Sequence, residues 1–460
     1  MVAQAISVRK WEAFCRFSSS GFMLPPACRS KFSMTNGTEL FTTQVFSPSH
    51  RSGIEGVMTL SLRLALLALF ALIAGPVAAK GKRAPVTILV SIDAFRADYL
   101  QRGLTPNLSA LAHRGISAAM RPSFPTKTFP NHYAIVTGLR PDRNGIVGNK
   151  MEDPARPGET FTMKNADDAF WWSEAEPLWA GAEKAGIRSA SMFWPGSIVA
   201  YDGVRPQDWF PWDENITMTQ RVNGVLDWVR RPAAIRPRFI TLYFDAVDTA
   251  GHHHGPDSPE LDQALKDVDA QIGRLRGGLA EMHQPADIVV VADHGMANTS
   301  ADRVVMVHDI ANPADYHVVD EGPVALIDPV PGHEAALAAS LLRPLPHVQC
   351  MRKQDLPERL HYGHNPRVAT YVCLADIGWL LLDKISEKSG VDKGSHGYDN
   401  QAPEMQALFI AAGPDIAPRG KLPTFDNVDV YALLRDLLRL PPKADIDGTD
   451  EPFRGALKAR

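Results

Sequence analysis

Four uninterrupted apolar runs constrain most what this chain can fold into. Each is long enough for a strand but shows no alternation, which is typical of central strands in a sheet covered on both faces. Segments of helical period lie between them. The pattern predicts an α/β fold with a largely parallel central sheet and helices on both faces. The runs are Val86–Ile92, Arg238–Phe244, Asp287–Ala292 and Ala407–Ala412.

Three of these runs end in acidic residues or histidine. Asp93 follows the first run, Asp248 lies shortly after the second, and Asp293 and His294 close the third. Ligands of open α/β sheets bind beyond the carboxyl ends of the strands, so residues far apart in sequence would meet there. Each residue alone is more often a solvated or hydrogen-bonded polar side chain. Together at three strand ends, they indicate a metal site.

The candidate ligands combine carboxylates and imidazoles without a thiolate. This set suits zinc, with manganese and other divalent ions as rivals. Asp248 and His252 are four residues apart, which fits one face of a helix, but Gly251 and Gly255 favour a loop that wraps an ion. The candidates are Asp93, Asp248, His252, Asp293, His294 and His396.

A hydroxyl residue that could act as a nucleophile precedes a predicted helix. The segment around Thr128 leads into a helix expected over about Asn131–Gly138. The N-terminus of a helix favours phosphate oxygens and a developing alkoxide. A threonine hydroxyl is a poor nucleophile by itself, and metal coordination is one way to activate it. The alternative is that Thr128 is an ordinary N-cap.

The N-terminal part of the chain reads as a targeting segment rather than as part of the fold. Residues 58–79 combine Arg63, an apolar stretch and small residues ending at Ala79, the order of a secretory signal peptide; a retained anchor is the alternative. Residues 1–57 are interpreted as a doubtful extension upstream of the true start. The expected mature part is a catalytic domain over 80–460, exported to the periplasm or secreted.

Cysteine usage and composition fit an exported globular protein. Cys350 and Cys373 form an even pair beyond the doubtful segment, which permits one disulfide; two buried free thiols are the alternative. The irregular segment at about 301–392 predicts a small inserted lobe. A net charge of −4 gives no electrostatic reason to expect a nucleic-acid polymer as partner.

Five segments carry a specific resemblance to a known family. They are TKTFPNHYAIVTGLRPDRNGIVGN, WPGS, DAVDTAGHHHGP, ADHGM and GSHGYDN, in this order between about Ile88 and Gly413. They resemble the nucleotide pyrophosphatase/phosphodiesterase family of the alkaline phosphatase superfamily, in a bacterial single-domain form. The resemblance implies an alkaline-phosphatase-like fold. It also implies hydrolysis of phosphodiester or pyrophosphate bonds of nucleotides, for example ATP to AMP and pyrophosphate.

The resemblance further implies roles for the candidate residues. Thr128 would be the nucleophile and would form a covalent intermediate. One of two Zn²⁺ ions would be held by Asp93, Asp293, His294 and Thr128, and the other by Asp248, His252 and His396. Two ions so placed would stabilise the attacking and leaving oxygens of an in-line displacement.

Substrate contacts are implied at three positions. Asn149 matches the family asparagine that donates a hydrogen bond to a phosphate oxygen, and Phe129 matches the aromatic residue that stacks on a base. Trp212 is the best candidate for a second stacking residue, with ordinary packing as the alternative. Family members that cleave lysophospholipids or choline phosphates share Phe129 and the ligands, so that alternative stays open.

Three other classes of protein are less consistent with these residues. A phosphomonoesterase of the superfamily would show an arginine clamp and a third metal site. A sulfatase would carry a C/S-x-P-x-R segment where Thr128 lies. A non-catalytic metal-binding protein has no need for both the nucleophile and every ligand. A small-molecule phosphodiester is therefore the expected partner.

Overall fold

Strands and helices alternate along the chain in the computed structural model, which describes residues 83–386 and 390–458. The strands are β1 (Val86–Ile92), β2 (Ile116–Arg121), β3 (Lys150–Glu152), β4 (Thr160–Thr162), β5 (Ser189–Met192), β6 (Asp208–Phe210), β7 (Phe239–Phe244), β8 (Ala286–Val291), β9 (Ala297–Asn298), β10 (Val304–Met306), β11 (Tyr316–Asp320), β12 (Val324–Pro329), β13 (Val348–Arg352), β14 (Tyr371–Ala375), β15 (Leu380–Leu382), β16 (Gly394–Ser395), β17 (Ala407–Ala412), β18 (Gly420–Lys421) and β19 (Phe425–Asp426).

The helices of the described residues are mostly short. The α-helices are α1 (Pro106–Arg114), α2 (Thr128–Thr137), α3 (Pro141–Asn144), α4 (Leu178–Lys184), α5 (Met218–Arg230), α6 (Ala246–His254), α7 (Pro259–Glu281), α8 (Val307–Ile310), α9 (Glu334–Leu341) and α10 (Asp429–Leu438). Short 3₁₀ helices lie at Ala97–Arg102, Ala169–Trp172, Lys353–Asp355, Glu358–Leu360, Pro403–Met405 and Glu451–Phe453. The expected N-terminal extension (1–57) and signal peptide (58–79) lie outside the described residues.

The main sheet has the strand order β18-β2-β17-β8-β1-β7-β5-β6, with β19 also paired to β2. Strands β8, β1, β7, β5 and β6 form a parallel block, and β17 runs antiparallel between β8 and β2. All seven residues of β1 and all six of β17 are buried. Because successive side chains point to opposite faces, both faces of the sheet are covered. The predicted α/β class with a largely parallel sheet is confirmed.

Helix α7 shows how local sequence sets the elements around the sheet. The Ser258 side chain accepts a hydrogen bond from Leu261 N, which caps the first turn. Leu261, Leu265, Val268 and Ile272 recur at helical spacing and are buried. None of the described helices combines the length and the apolar character of a membrane-spanning segment. The described residues all belong to one compact unit, which spans Ala79–Arg460.

A second, antiparallel sheet has the order β11-β12-β14-β13. It packs with α9 around its own apolar cluster, separate from the main core. Cys350 and Cys373 lie opposite each other on β13 and β14 and form a disulfide, so the alternative of two free thiols is not realised. This sheet falls within the segment 301–392, for which the inserted lobe remains a prediction.

Candidate functional site

The carboxyl ends of three neighbouring parallel strands, β7, β1 and β8, meet at one edge of the main sheet. Ile92 at the end of β1 pairs with Phe244 at the end of β7, and Ser91 pairs with Val291 at the end of β8. The chain continues from these ends into the candidate ligands. A cavity of about 1300 Å³ opens there, and Asp93 is among its lining residues.

Asp93, Asp293 and His294 form the first ligand cluster and are buried, with at most 1% of each residue exposed. His294 Nε2 lies 2.9 Å from Asp293 Oδ2 and 3.5 Å from Asp93 Oδ1. The backbone N–H of Ala94 donates to Asp293 Oδ1 at 3.2 Å, which fixes that carboxylate. One ligand atom from each residue is within reach of a single ion.

Asp248, His252 and His396 form the second cluster. Asp248 Oδ1 lies 3.4 Å from His252 Nε2 and 3.7 Å from His396 Nε2. The expectation of a loop at Asp248 and His252 was wrong: both lie on α6, which presents them from one face at a spacing of four residues. The rings of His294 and His396 stack at 3.6 Å, so the two clusters are adjacent.

The three histidines are oriented by backbone carbonyls. The Nδ1 atoms of His252, His294 and His396 donate to the carbonyls of Gly394, Gly295 and Thr126 at 2.9, 3.0 and 2.9 Å. Each Nε2 is thereby left as the atom that faces a ligand. Burial and the neighbouring His294 hold the pKa of His396 well below its usual value, which favours the neutral ring that binds metals.

The carboxylates of the two clusters fit a pair of cations. Within the described residues, Asp93 Oδ1, Asp248 Oδ1 and Asp293 Oδ2 are buried without a properly formed hydrogen bond. Burial and the nearby carboxylates of Asp293 and Asp248 raise the pKa of Asp93 well above its usual value. Burial would also raise the pKa of Asp248, but His252 outweighs it and brings this pKa to about 2. Buried carboxylate oxygens without a formed hydrogen bond match what a divalent cation neutralises.

Thr128 is the first residue of α2 and lines the same cavity. Its Oγ1 lies 3.3 Å from His294 Nε2. The N-cap position is occupied by Lys127, and no side chain caps this helix. The alternative that Thr128 is an ordinary N-cap is therefore wrong, and its hydroxyl is directed to the ligand clusters instead.

Asn149 and Phe129 stand next to Thr128 in the cavity. Asn149 Oδ1 accepts a hydrogen bond from the backbone N–H of Phe129 at 3.0 Å. With its oxygen engaged, the amide group of Asn149 has Nδ2 as its remaining donor. The Phe129 ring contacts the edge of Phe161 and lies 6.0 Å from Trp172, so its position is set by packing.

Trp212 lines the cavity from another segment, between β6 and α5. Half of this residue is exposed, and its ring makes edge contacts with Phe193 at 5.4 Å and Tyr243 at 5.7 Å. The Arg221 guanidinium lies 4.8 Å from the same ring. These contacts hold a half-exposed aromatic ring at the cavity wall.

Two polar residues at the site were missed by the sequence analysis. The Tyr243 hydroxyl donates to Asp93 Oδ2 at 2.6 Å and lines the cavity. His132 is fully buried, shares hydrogen bonds with Ser91 Oγ and the Thr128 carbonyl at 2.8 Å each, and lies 3.4 Å from Asp293. The available signal was spacing: His132 is four residues after Thr128, and helical spacing places the two on one face.

Comparisons with known proteins identify relatives of the chain. Residues 87–399 match the family model described as type I phosphodiesterase/nucleotide pyrophosphatase. The chain is 37% identical over 378 residues to the bis(5'-adenosyl)-triphosphatase enpp4 of Xenopus laevis, covering 81% of this chain and 80% of that protein. It is also 37% identical to human ectonucleotide pyrophosphatase/phosphodiesterase family member 1, over 82% of this chain and 42% of that protein.

A solved structure shows the same fold. It is murine ectonucleotide pyrophosphatase/phosphodiesterase 5, an inactive threonine-to-alanine variant in complex with AMP. The TM-score is 0.77 at 32% sequence identity, and the match covers 82% of this chain and 100% of that one. The human family member 5 is similar to the same degree, with a TM-score of 0.77 at 31% identity over 81% of this chain and 100% of that one.

Proposed function

The chain belongs to the type I phosphodiesterase/nucleotide pyrophosphatase family of enzymes, and we propose that Thr128 is its nucleophile. The observation that carries the proposal is the position of this hydroxyl, at the start of α2 and 3.3 Å from His294 Nε2. A relative supports it, since the threonine-to-alanine variant of the murine family member 5 is described as inactive.

Two metal ions are proposed at the ligand clusters. Asp93, Asp293 and His294, with the Thr128 hydroxyl, would hold one ion, and a second set would hold the other. That second set is Asp248, His252 and His396. Imidazole and carboxylate ligands suit zinc. When bound, the ions would lower the pKa of the Thr128 hydroxyl and neutralise charge on the attacked phosphate.

The proposed reaction forms and then hydrolyses an ester on Thr128. Thr128 Oγ1 gives its proton to solvent water and forms a bond to phosphorus. The bond from phosphorus to the leaving oxygen breaks, and that oxygen keeps the electron pair. The product is a covalent ester on Thr128, which water hydrolyses from the vacated side to regenerate the hydroxyl. Asn149 Nδ2 would donate to a non-bridging oxygen, because Oδ1 is held by Phe129.

The proposed substrate is a nucleotide that carries a phosphodiester or pyrophosphate bond, such as ATP cleaved to AMP and pyrophosphate. Phe129 and Trp212 line one cavity and would stack on the base. The AMP complex of a relative, and the activity in the name of another, support this class. Lysophospholipids and choline phosphates are the alternative substrates, since they would occupy the same cavity beside Phe129 and Trp212.

The test compares the wild type with Thr128→Ala and Thr128→Ser as zinc-loaded proteins. Substrates are bis(p-nitrophenyl) phosphate, ATP, p-nitrophenyl phosphate, p-nitrophenyl phosphorylcholine and a lysophospholipid. We expect Thr128→Ala to lose roughly 10⁴-fold or more in kcat on diesters while keeping its zinc content. Thr128→Ser retains a hydroxyl and should keep part of the activity. Full diesterase activity in metal-replete Thr128→Ala would refute the assignment of Thr128 as the nucleophile. A preference for the choline compounds would indicate that the substrate is a lipid head group and not a nucleotide.

Export is proposed from the N-terminal segment and supported by the disulfide. Disulfides persist in oxidising compartments, and Cys350 and Cys373 form one here. Cleavage after Ala79 would leave residues 80–460 as the catalytic domain, in the periplasm or secreted. N-terminal sequencing of the protein from fractionated cells tests this; a cytoplasmic protein that retains residues 58–79 would contradict it.

A further inference from the structure

His132 is a buried histidine one helical turn after the proposed nucleophile. It belongs to α2, four residues after Thr128, and none of its surface is exposed. It does not line the cavity of the ligand clusters, so it cannot touch a substrate bound there. Neither ring nitrogen is free to bind an ion, since each lies 2.8 Å from a hydrogen-bond partner. The chemistry proposed above therefore gives this residue no part.

The partners of the ring determine where its proton lies. Nδ1 lies 2.8 Å from the carbonyl oxygen of Thr128, which can only accept, so Nδ1 carries the proton. In the neutral ring Nε2 is then an acceptor, and the Ser91 hydroxyl donates to it at 2.8 Å. Trp194 fixes the ring further: its indole N–H donates to the His132 carbonyl at 3.2 Å, and its ring contacts the imidazole edge-on at 5.0 Å.

The protonated nitrogen of His132 also lies close to a metal ligand. Nδ1 is 3.4 Å from Asp293 Oδ2, and both side chains are fully buried. Within residues 83–386 and 390–458, that carboxylate oxygen is buried without a formed hydrogen bond. A polar N–H attracts a carboxylate more strongly in a buried site than in water. One N–H group is thus close both to the backbone of Thr128 and to a carboxylate of the first ligand cluster.

We propose that His132 is a positioning residue, which holds Thr128 at a set distance from the Asp293 carboxylate and so from the ion of the first cluster. The inference rests on the proposed function, because this distance matters only if Thr128 reacts beside that ion. Hydrogen-bonding partners behind metal ligands typically contribute 10- to 100-fold in metal affinity or activity. His132→Leu should therefore lower both kcat on ATP and the zinc affinity of the first cluster by roughly 10- to 100-fold. KM should change little, because His132 does not contact the substrate.

Two conservative variants separate the roles of the two ring nitrogens. An asparagine can bring its amide nitrogen near the position of Nδ1, whereas the longer glutamine reaches the position of Nε2. We expect His132→Asn to keep kcat within about tenfold of the wild type, and His132→Gln to lose as much as His132→Leu. Equal losses in the asparagine and glutamine variants, or a more active glutamine variant, would overturn the proposal, because the bond to Ser91 would then be the one that matters.

Zinc retention gives a measurement that does not depend on activity. Zinc-loaded crystals of each variant are equilibrated with graded concentrations of a chelator, and anomalous difference peaks report the zinc left at each cluster. We expect His132→Leu to lose zinc from the first cluster before the second. The control is His308→Asn, which replaces a histidine whose side chain is 50% exposed and should retain zinc as the wild type does. Equal loss from both clusters in His132→Leu would indicate general destabilisation and contradict the positioning role, as would wild-type zinc retention.

A measurement on the wild type decides the matter if no His132 variant folds. A neutron structure of the zinc-loaded protein locates the deuterium atoms of the His132 ring. Deuterium on Nδ1 supports the proposal, and an Nδ1 without deuterium overturns it, because the ring would then have no donor for Thr128 and Asp293. A failure of the proposed function would appear separately, as full diesterase activity in Thr128→Ala.

Discussion

The buried ion pair between Lys127 and Asp320 should stabilise the contact between the second sheet and the start of α2. Lys127 Nζ lies 2.5 Å from Asp320 Oδ2, and both side chains are only 7% exposed. Asp320→Asn would leave a buried ammonium without its counter-charge, although the carbonyl of Glu321 at 3.3 Å remains as an acceptor. Losing one partner of a buried pair costs about 3–5 kcal/mol, and the remaining acceptors place the expected loss near 3 kcal/mol.

The same substitution should reduce activity, because Lys127 is the N-cap residue of α2 and directly precedes Thr128. Misplacement of a nucleophile by about 1 Å can lower the rate by roughly 10²-fold. We therefore expect kcat/KM on bis(p-nitrophenyl) phosphate to fall roughly 10- to 100-fold. Stability is measured by guanidinium unfolding of the zinc-loaded protein, followed by tryptophan fluorescence and circular dichroism.

Two further variants test whether the loss of stability in Asp320→Asn comes from the unpaired charge of Lys127. Lys127→Met combined with Asp320→Leu removes both charges and should return stability to within about 1 kcal/mol of the wild type. Asp227→Asn removes the exposed pair with Arg230, whose side chains are 69% and 57% exposed, and should change stability by less than about 0.5 kcal/mol. The reasoning fails if Asp320→Asn unfolds like the wild type, or if the double variant is no more stable than Asp320→Asn alone.

Three further outcomes are expected. Burial raises the pKa of Asp429 to about 6 from 3.8, so the contribution of this carboxyl to stability is present below about pH 4 and is lost as the pH rises through 6. In urea titrations at pH 4 and 7, Asp429→Asn should reduce the loss of unfolding free energy between the two pH values by about 1–2 kcal/mol. An equal loss in the wild type and the variant would contradict this expectation. Replacing Cys350 and Cys373 by serine opens a loop with a separation of 23 residues and should cost about 3 kcal/mol, measured by the unfolding midpoint; an unshifted midpoint would speak against it. Trp212→Ala should raise KM for ATP about tenfold with little change in kcat, because stacking on a base contributes about 1–3 kcal/mol, and an equal KM would return Trp212 to ordinary packing.

The parts of the fold that could be predicted are those in which burial requires a continuous run of apolar residues in the sequence. The runs at Val86–Ile92 and Ala407–Ala412 are buried throughout, and apolar segments of this length without alternation are typical of strands covered on both faces. The wrong loop at Asp248 and His252 has a physical cause. Gly251 lies inside α6 and packs against the Met296 side chain, where an added Cβ would come within 2.8 Å of Cε, so this glycine is part of a close contact and not of a turn.

Contacts across the chain could not be predicted in the same way. The ion pair of Lys127 and Asp320 joins residues 193 positions apart, and no periodicity records which side chain will lie opposite another. The ion pair of Arg121 and Asp426 has the same origin, since these residues meet through the pairing of β19 with β2. Such contacts depend on the order of the strands, which the apolar runs do not specify.

Tyr243 is a case in which the sequence holds more than local patterns use. A tyrosine in a buried strand requires a partner for its hydroxyl. In the parallel register of β1 and β7, Ser91 lies opposite Tyr243, and residues two apart on a strand share a face. Asp93 therefore follows Ser91 on the face where the Tyr243 hydroxyl emerges, and the two meet at 2.6 Å. Once two strands are known to be parallel neighbours, the partner of a buried polar side chain near their ends can be deduced from register alone.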